Sequence, residues 1–287
     1  MLKYFKVMKF IEKLDQACQQ NNSLVCIGLD TDLGKIPKHL LNDEDPLFAF
    51  NRAIIDQTAD LVCAYKPNMA FYEMHGIYGM ESLMRTIEYI PKHIPVILDA
   101  KRGDIGNTAA AYAKAIFDVY KADATTVNPY LGPDSVLPFA EYRDKGVFVL
   151  CLTSNQGARV LQSHGVESGD IALYLKVVKY SLLWNQQYNN IGLVVGATKP
   201  QELKEIRSQV GNMPILIPGV GAQGGSVKDS VTAGADKNGL HAIINSSRAI
   251  IYADASENFA RAARAAAQTL RDEINQYRKS SPPGVQS

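Results

Sequence analysis

Short, nearly unbroken apolar runs recur along this chain of 287 residues. They are SLVCIGLD (23–30), LVCAYKPN (61–68), IPVILDAK (94–101), ATTVNPYLG (124–132), GVFVLCLTS (146–154), IGLVVGAT (191–198), PILIPGVG (214–221) and HAIINSSR (241–248). A strand covered on both faces by helices needs apolar side chains on both, so such runs predict parallel strands. Between them lie DPLFAFNRAIIDQTAD (45–60), MESLMRTIEYI (80–90), NTAAAYAKAIFDVY (107–120) and IALYLKVVKYSLL (171–183). Their apolar positions recur at i, i+3 and i+4, which predicts amphipathic helices. Strand and helix alternating eight times predicts an α/β fold, a single (β/α)8 TIM barrel. A doubly wound open sheet is the alternative, but eight strands without a long linker favour closure. The barrel is expected to fill 1–277 as one domain, with an extra N-terminal helix within 1–22 and a disordered tail, RKSSPPGVQS, at 278–287.

Composition narrows the class. The chain is 46% hydrophobic and 21% charged, as a globular protein with a sizeable core should be. Thirty basic residues against 29 acidic ones give no global electrostatic case for nucleic acid or a membrane surface as partner. The N-terminal MLKYFKVMKFIEKLDQACQQ breaks its apolar residues with charges, so it reads as an amphipathic helix and not a signal peptide. No run approaches the ~20 apolar residues that a membrane-spanning helix needs. Cys18, Cys26, Cys63 and Cys151 form no CxxC pair, and three of them lie in apolar runs. Buried, reduced thiols in a cytoplasmic protein are the expectation, with neither a disulfide frame nor a zinc site.

A barrel places its active site at the C-terminal ends of its strands, and there the chain becomes polar. The first strand ends in Asp30, the second in Lys66, and the third in Asp99 and Lys101. Side chains alternate along a strand, so Asp99 and Lys101 share a face, while Val96, Leu98 and Ala100 take the other. The same parity sets Gly28 with Asp30 and Ala64 with Lys66. Four charges therefore converge on one mouth, which favours a pocket over four separate structural ion pairs. Asp104 lies just before a helix, where capping is an equally good use of it. The last two strands end in GVGAQGG (219–225) and NSSR (245–248). Glycines there let backbone N–H groups approach an anion, and Arg248 would supply a bidentate fork, so a phosphate is expected at that end.

With those residues in view, DAKRGDIGNTA (99–109) resembles the D-x-K-x-x-D signature of the orotidine 5'-phosphate decarboxylase family, in its longer bacterial branch. IGLD, AYKPN, LTSNQG, IPGVGAQGG and the arginine after the eighth strand match in the family's order, over about residues 23–252. The resemblance implies decarboxylation of orotidine 5'-monophosphate to UMP, the last step of pyrimidine nucleotide synthesis, without metal or organic cofactor. It makes Lys101 the proton donor to C6, flanked by Asp99, and gives Asp30 and Lys66 the ribose hydroxyls. Asp104 and Thr108 would reach into the neighbouring subunit's site, so a homodimer with shared sites is implied. Ser154 would contact the pyrimidine. Gln223 and Arg248, with Pro218 and the backbone near Gly219 and Ala249, would hold the phosphate end.

Elementary chemistry fits those roles. Loss of CO2 from C6 leaves a carbanion with no neighbouring carbonyl to delocalise it, and an ammonium stabilises and then protonates it. Carboxylates beside Lys101 favour its ammonium form, unlike the lysine of a Schiff-base aldolase. A magnesium-dependent keto-sugar-phosphate enzyme of the same superfamily is one alternative, disfavoured because Lys66 would repel the metal. A non-catalytic phosphate-binding barrel is the other, and it has no use for a lysine among carboxylates. The stretches 31–46 and 156–170 are expected to be extensions, and 222–240 a loop closing over the phosphate. His75 and His93 show no ligand spacing and are expected at the surface.

Overall fold

The computed structural model describes residues 8–164, 171–221 and 224–278. Eight parallel strands run in the order β2-β1-β8-β7-β6-β5-β4-β3. They are β1 (Val25–Gly28), β2 (Ala64–Lys66), β3 (Ile97–Arg102), β4 (Ala124–Val127), β5 (Gly146–Leu152), β6 (Ile191–Val195), β7 (Ile215–Pro218) and β8 (Ala242–Ser246). The outer members, β2 and β3, meet through parallel bridges at Tyr65–Val96 and Asn68–Asp99, so the sheet closes on itself. Three backbone bonds carry that seam, Tyr65 N–H to Pro95 C=O at 3.0 Å, Asp99 N–H to Pro67 C=O at 2.9 Å and Met69 N–H to Asp99 C=O at 3.2 Å. The barrel expectation is met, and the open sheet is excluded.

Every apolar run holds a strand, but each strand is shorter than its run. The fourth shows why: β4 stops at Val127, and Pro129–Ser135 turns into a 3-10 segment. Pro129 has no N–H for a ladder, and Gly132 sits at φ 76°, so the strand cannot continue to 132. The expected helices appear at Pro46–Thr58, Gly76–Tyr89, Gly106–Lys114 and Leu173–Tyr188. Asp45 caps the first of these by accepting the Phe48 N–H at 3.0 Å, with Pro46 at the first helical position.

The N-terminal helix is Phe10–Gln20, and Leu14, Ala17 and Cys18 on its buried face meet the barrel's base. Phe10 stacks edge-on against Phe148, ring centroids 5.7 Å apart, and lies over Gly146 at the start of β5. A Cβ on Gly146 would sit 2.5 Å from that ring, so the glycine makes room for the plug. All four cysteines are free and buried. Val227–Gly234 is a helix, capped by Ser226, so 222–240 is not one continuous loop. The tail from 279 lies outside the described residues, as do 1–7 and 165–170 of the N-terminal segment and the second extension.

Candidate active site

At the C-terminal ends of the strands is a cavity of about 430 Å³. Its walls differ. On one side stand Asp30, Lys66, Asp99 and Lys101, from the ends of the first three strands, with Thr126 of β4. Leu150, Val194 and Leu216 of β5 to β7 supply an apolar stretch. Pro218, Gly219, Ser246, Ser247 and Arg248 complete the far side.

The charged wall is a bonded array. Asp99 Oδ2 accepts from Lys66 Nζ at 2.9 Å, and Asp99 Oδ1 accepts from Lys101 Nζ at 2.6 Å. Lys66 also lies 4.0 Å from Asp30. The Lys66 and Asp99 side chains are only 4% and 9% exposed, whereas Lys101 is 47% exposed. The buried pair therefore acts as a fixed support, and the Lys101 ammonium is the accessible charge. Burial alone would push the Asp99 carboxyl up, but Lys66 and Lys101 outweigh it and hold the group well below the usual carboxylate range. Lys66 mirrors this: burial works against its charge, and Asp99 with Asp30 drives its pKa up. Asp30 Oδ1 is buried and accepts no hydrogen bond among the described residues. A buried acceptor without a donor points to a ligand hydroxyl.

Strand alternation brings the four charges together as expected, with one correction. The register shifts between Leu98 and Arg102, and Lys101 has φ 46°, so it sits on a left-handed bend and not in a regular strand. Its amide donates to Thr126 Oγ1 at 2.9 Å, and its side chain still returns to Asp99. Asp104 is no helix cap: residue 105 occupies that position, and Asp104 Oδ1 accepts the adjacent Ile105 N–H. Asp104 and the exposed Thr108 do not line this chain's own cavity.

The far wall carries fewer side-chain bonds among the described residues. Gly219 has φ 95°, a conformation that favours glycine, and it turns the chain at the end of β7. Gly28 allows the chain after β8 to close in, since a Cβ there would meet Ser247 Oγ at 1.8 Å. The exposed Arg248 side chain makes no hydrogen bond or ion pair among the described residues. Ser154 lines the cavity as expected, in a loop where the Thr153 amide donates to Gln162 Oε1. Gln223 lies outside the described residues. Sequence reasoning missed Asn68, Thr126 and Asn245, all of which line the cavity. Asn68 follows Lys66 by two, so strand parity alone could have found it. His75 is half-buried and His93 exposed, both away from the cavity.

Paired ammonium and carboxylate groups, an apolar stretch and the Arg248 guanidinium, all lining one cavity, define a barrel enzyme for a small anionic substrate. A family model for "Orotidine 5'-phosphate decarboxylase / HUMPS family" matches residues 23–264, and the chain belongs to that family. It is 50% identical over 272 residues to the orotidine 5'-phosphate decarboxylase of Thermomicrobium roseum, covering 95% of this chain and 97% of that one. To the enzyme of the same name from Cellvibrio japonicus it is 54% identical over 276 residues, covering 93% and 98%. Among solved structures, Leishmania donovani OMP decarboxylase superimposes with a TM-score of 0.82 at 40% identity, covering 94% of this chain and 99% of that one.

Proposed function

We infer that this chain is an orotidine 5'-phosphate decarboxylase, converting orotidine 5'-monophosphate to UMP at the end of pyrimidine nucleotide synthesis. The observation that carries this reading is the accessible Lys101 ammonium held on a buried Asp99–Lys66 pair. Lys101 supplies the charge that a C6 carbanion needs and then the proton that quenches it. Asp99 stands beside the departing carboxylate, and Lys66 keeps Asp99 ionised. Asp30, with its unsatisfied oxygen, takes a ribose hydroxyl together with Lys66. Ser154 meets the pyrimidine, and Arg248, Pro218, Gly219 and Gln223 hold the phosphate end.

A buried ammonium at the end of β2 is what separates this reading from the magnesium-dependent branch. Lys66 lies 2.9 Å from Asp99 and 4.0 Å from Asp30, so it already occupies the place where those carboxylates would gather a cation. The non-catalytic barrel gives no reason for a strained lysine aimed at a carboxylate.

A homodimer completes the site, with Asp104 and Thr108 of each subunit entering the other's cavity. Their absence from their own cavity supports this, as does apolar exposure beside them: Ile105 is 53% exposed, Leu131 47% and Tyr130 80%. The protomer is one barrel domain over 1–277, and the enzyme works in the cytoplasm. No described helix is long and apolar enough to cross a membrane.

Loss of orotidine 5'-monophosphate absorbance, measured in EDTA beside a Lys101→Ala control, tests the reading. Turnover in EDTA that the control abolishes supports it. No turnover, with activity on keto-sugar phosphates once Mg2+ is added, would overturn it.

A further inference from the structure

One hydroxyl in the lining of the cavity has no role in the scheme above, yet it touches both residues at its centre. Thr126, in β4, is 1% exposed. Its Oγ1 donates to Asp99 Oδ1 at 2.7 Å and accepts the Lys101 N–H at 2.9 Å. A threonine hydroxyl has one proton to give and lone pairs to receive, so both bonds form without conflict.

The second bond lies where the backbone is strained. Lys101 adopts φ 46° at the register shift between Leu98 and Arg102. Left-handed backbone at a residue with a Cβ is unfavourable and persists only where its surroundings hold it. The bend takes the Lys101 amide out of the regular ladder, and the Thr126 hydroxyl receives it. The same oxygen, through its proton, fixes the Asp99 oxygen to which the Lys101 ammonium returns at 2.6 Å. One side chain thus closes a small ring from lysine amide to hydroxyl to carboxylate to lysine ammonium.

We propose that Thr126 is a positioning residue for the decarboxylation, acting through Asp99 and Lys101. It holds the bend that aims the ammonium and keeps the carboxylate from rotating away. This rests on the reading of Lys101 as the proton donor. Valine at 126 keeps the shape and removes the hydroxyl, leaving the Lys101 amide without its partner and Asp99 Oδ1 with Lys101 alone. The phosphate end is untouched, so the loss belongs in kcat and not in KM.

Steady-state kinetics of Thr126→Val and Thr126→Ser, with Lys101→Ala as control, decide the matter. Thr126→Val is expected to lower kcat about 10- to 100-fold, the size of one or two lost hydrogen bonds at the reacting centre, with KM nearly unchanged. Thr126→Ser restores the hydroxyl and should recover most of the rate. If valine does not fold, Thr126→Cys, with a much weaker donor, is expected to lose kcat in the same direction. Wild-type kcat in the valine or cysteine variant, while Lys101→Ala is inactive, would overturn the role of Thr126 alone. Equal losses in the serine and valine variants would also overturn it, since the hydroxyl would not be the agent. Full activity of Lys101→Ala would overturn the underlying reading and this proposal with it.

Discussion

The two ends of the cavity are built on opposite principles. The Asp99 end is closed, with three donors on one carboxylate: Lys66, Lys101 and Thr126 at 2.9, 2.6 and 2.7 Å. At the Arg248 end the guanidinium makes no hydrogen bond or ion pair among the described residues, and Gly219 turns the backbone at φ 95°. Preorganised charge is most effective where charge develops during reaction, because nothing must reorient at that moment. An exposed cation suits capture of an anion in the ground state. On the proposed function, the difference separates the reacting centre from the phosphate site by strand within one barrel.

That division can be broken or sharpened by removing one end at a time. The largest effect is expected from Lys101→Ala. A charge pair at ~4 Å and effective dielectric ~20 is worth about 4 kcal/mol, so kcat should fall by roughly three powers of ten or more. A loss expressed only in KM would break the assignment. Next comes the shared site: Lys101→Ala and Asp104→Ala subunits are each expected to be inactive alone. Random reassortment makes half the dimers mixed, each with one whole site of two, so about a quarter of wild-type activity should return on mixing. No recovery in proven heterodimers would remove Asp104 from the partner's cavity.

Arg248→Ala is expected to have a smaller effect, about 10- to 100-fold in kcat/KM and mostly through KM, as one charge-assisted contact predicts. A wild-type value would rule out its phosphate role. The smallest effect concerns a charge cluster apart from the cavity, where His241 lies 2.8 Å from Asp236 and 3.0 Å from Asp15 of the N-terminal helix. Burial disfavours its charge, but the two carboxylates outweigh burial and raise its pKa, while the buried Arg207 backs Asp236. A raised histidine stabilises the fold fully below its ordinary pKa of about 6.5, and that contribution is lost as pH climbs through the folded value. Tm should therefore fall as pH rises from 6.5, and His241→Gln should flatten that part of the profile. An unchanged profile in the variant would separate His241 from stability.

Much of this was legible in the chain. Continuous apolar runs identified all eight strands, and polar strand ends with matching parity identified Asp30, Lys66, Asp99 and Lys101. The far wall was legible through GVGAQGG and NSSR, since glycine and arginine have few other reasons to meet there. Thr126 was not legible, because a threonine in ATTV is as good a strand former as a positioning hydroxyl. Nor was the bend at Lys101, which arises from a register shift between neighbouring strands that local pattern does not encode. Strand ends were overextended at 124–132 for a different reason: Pro129 and Gly132 marked the stop but lay within an apolar run.

The most direct test compares orotidine 5'-monophosphate with orotidine, which lacks the phosphate, in the wild type and in Arg248→Ala. If binding and chemistry are divided as the two walls indicate, Arg248→Ala loses most of its kcat/KM deficit when the phosphate is absent. An equal loss on both substrates would place Arg248 in the chemistry and contradict the division.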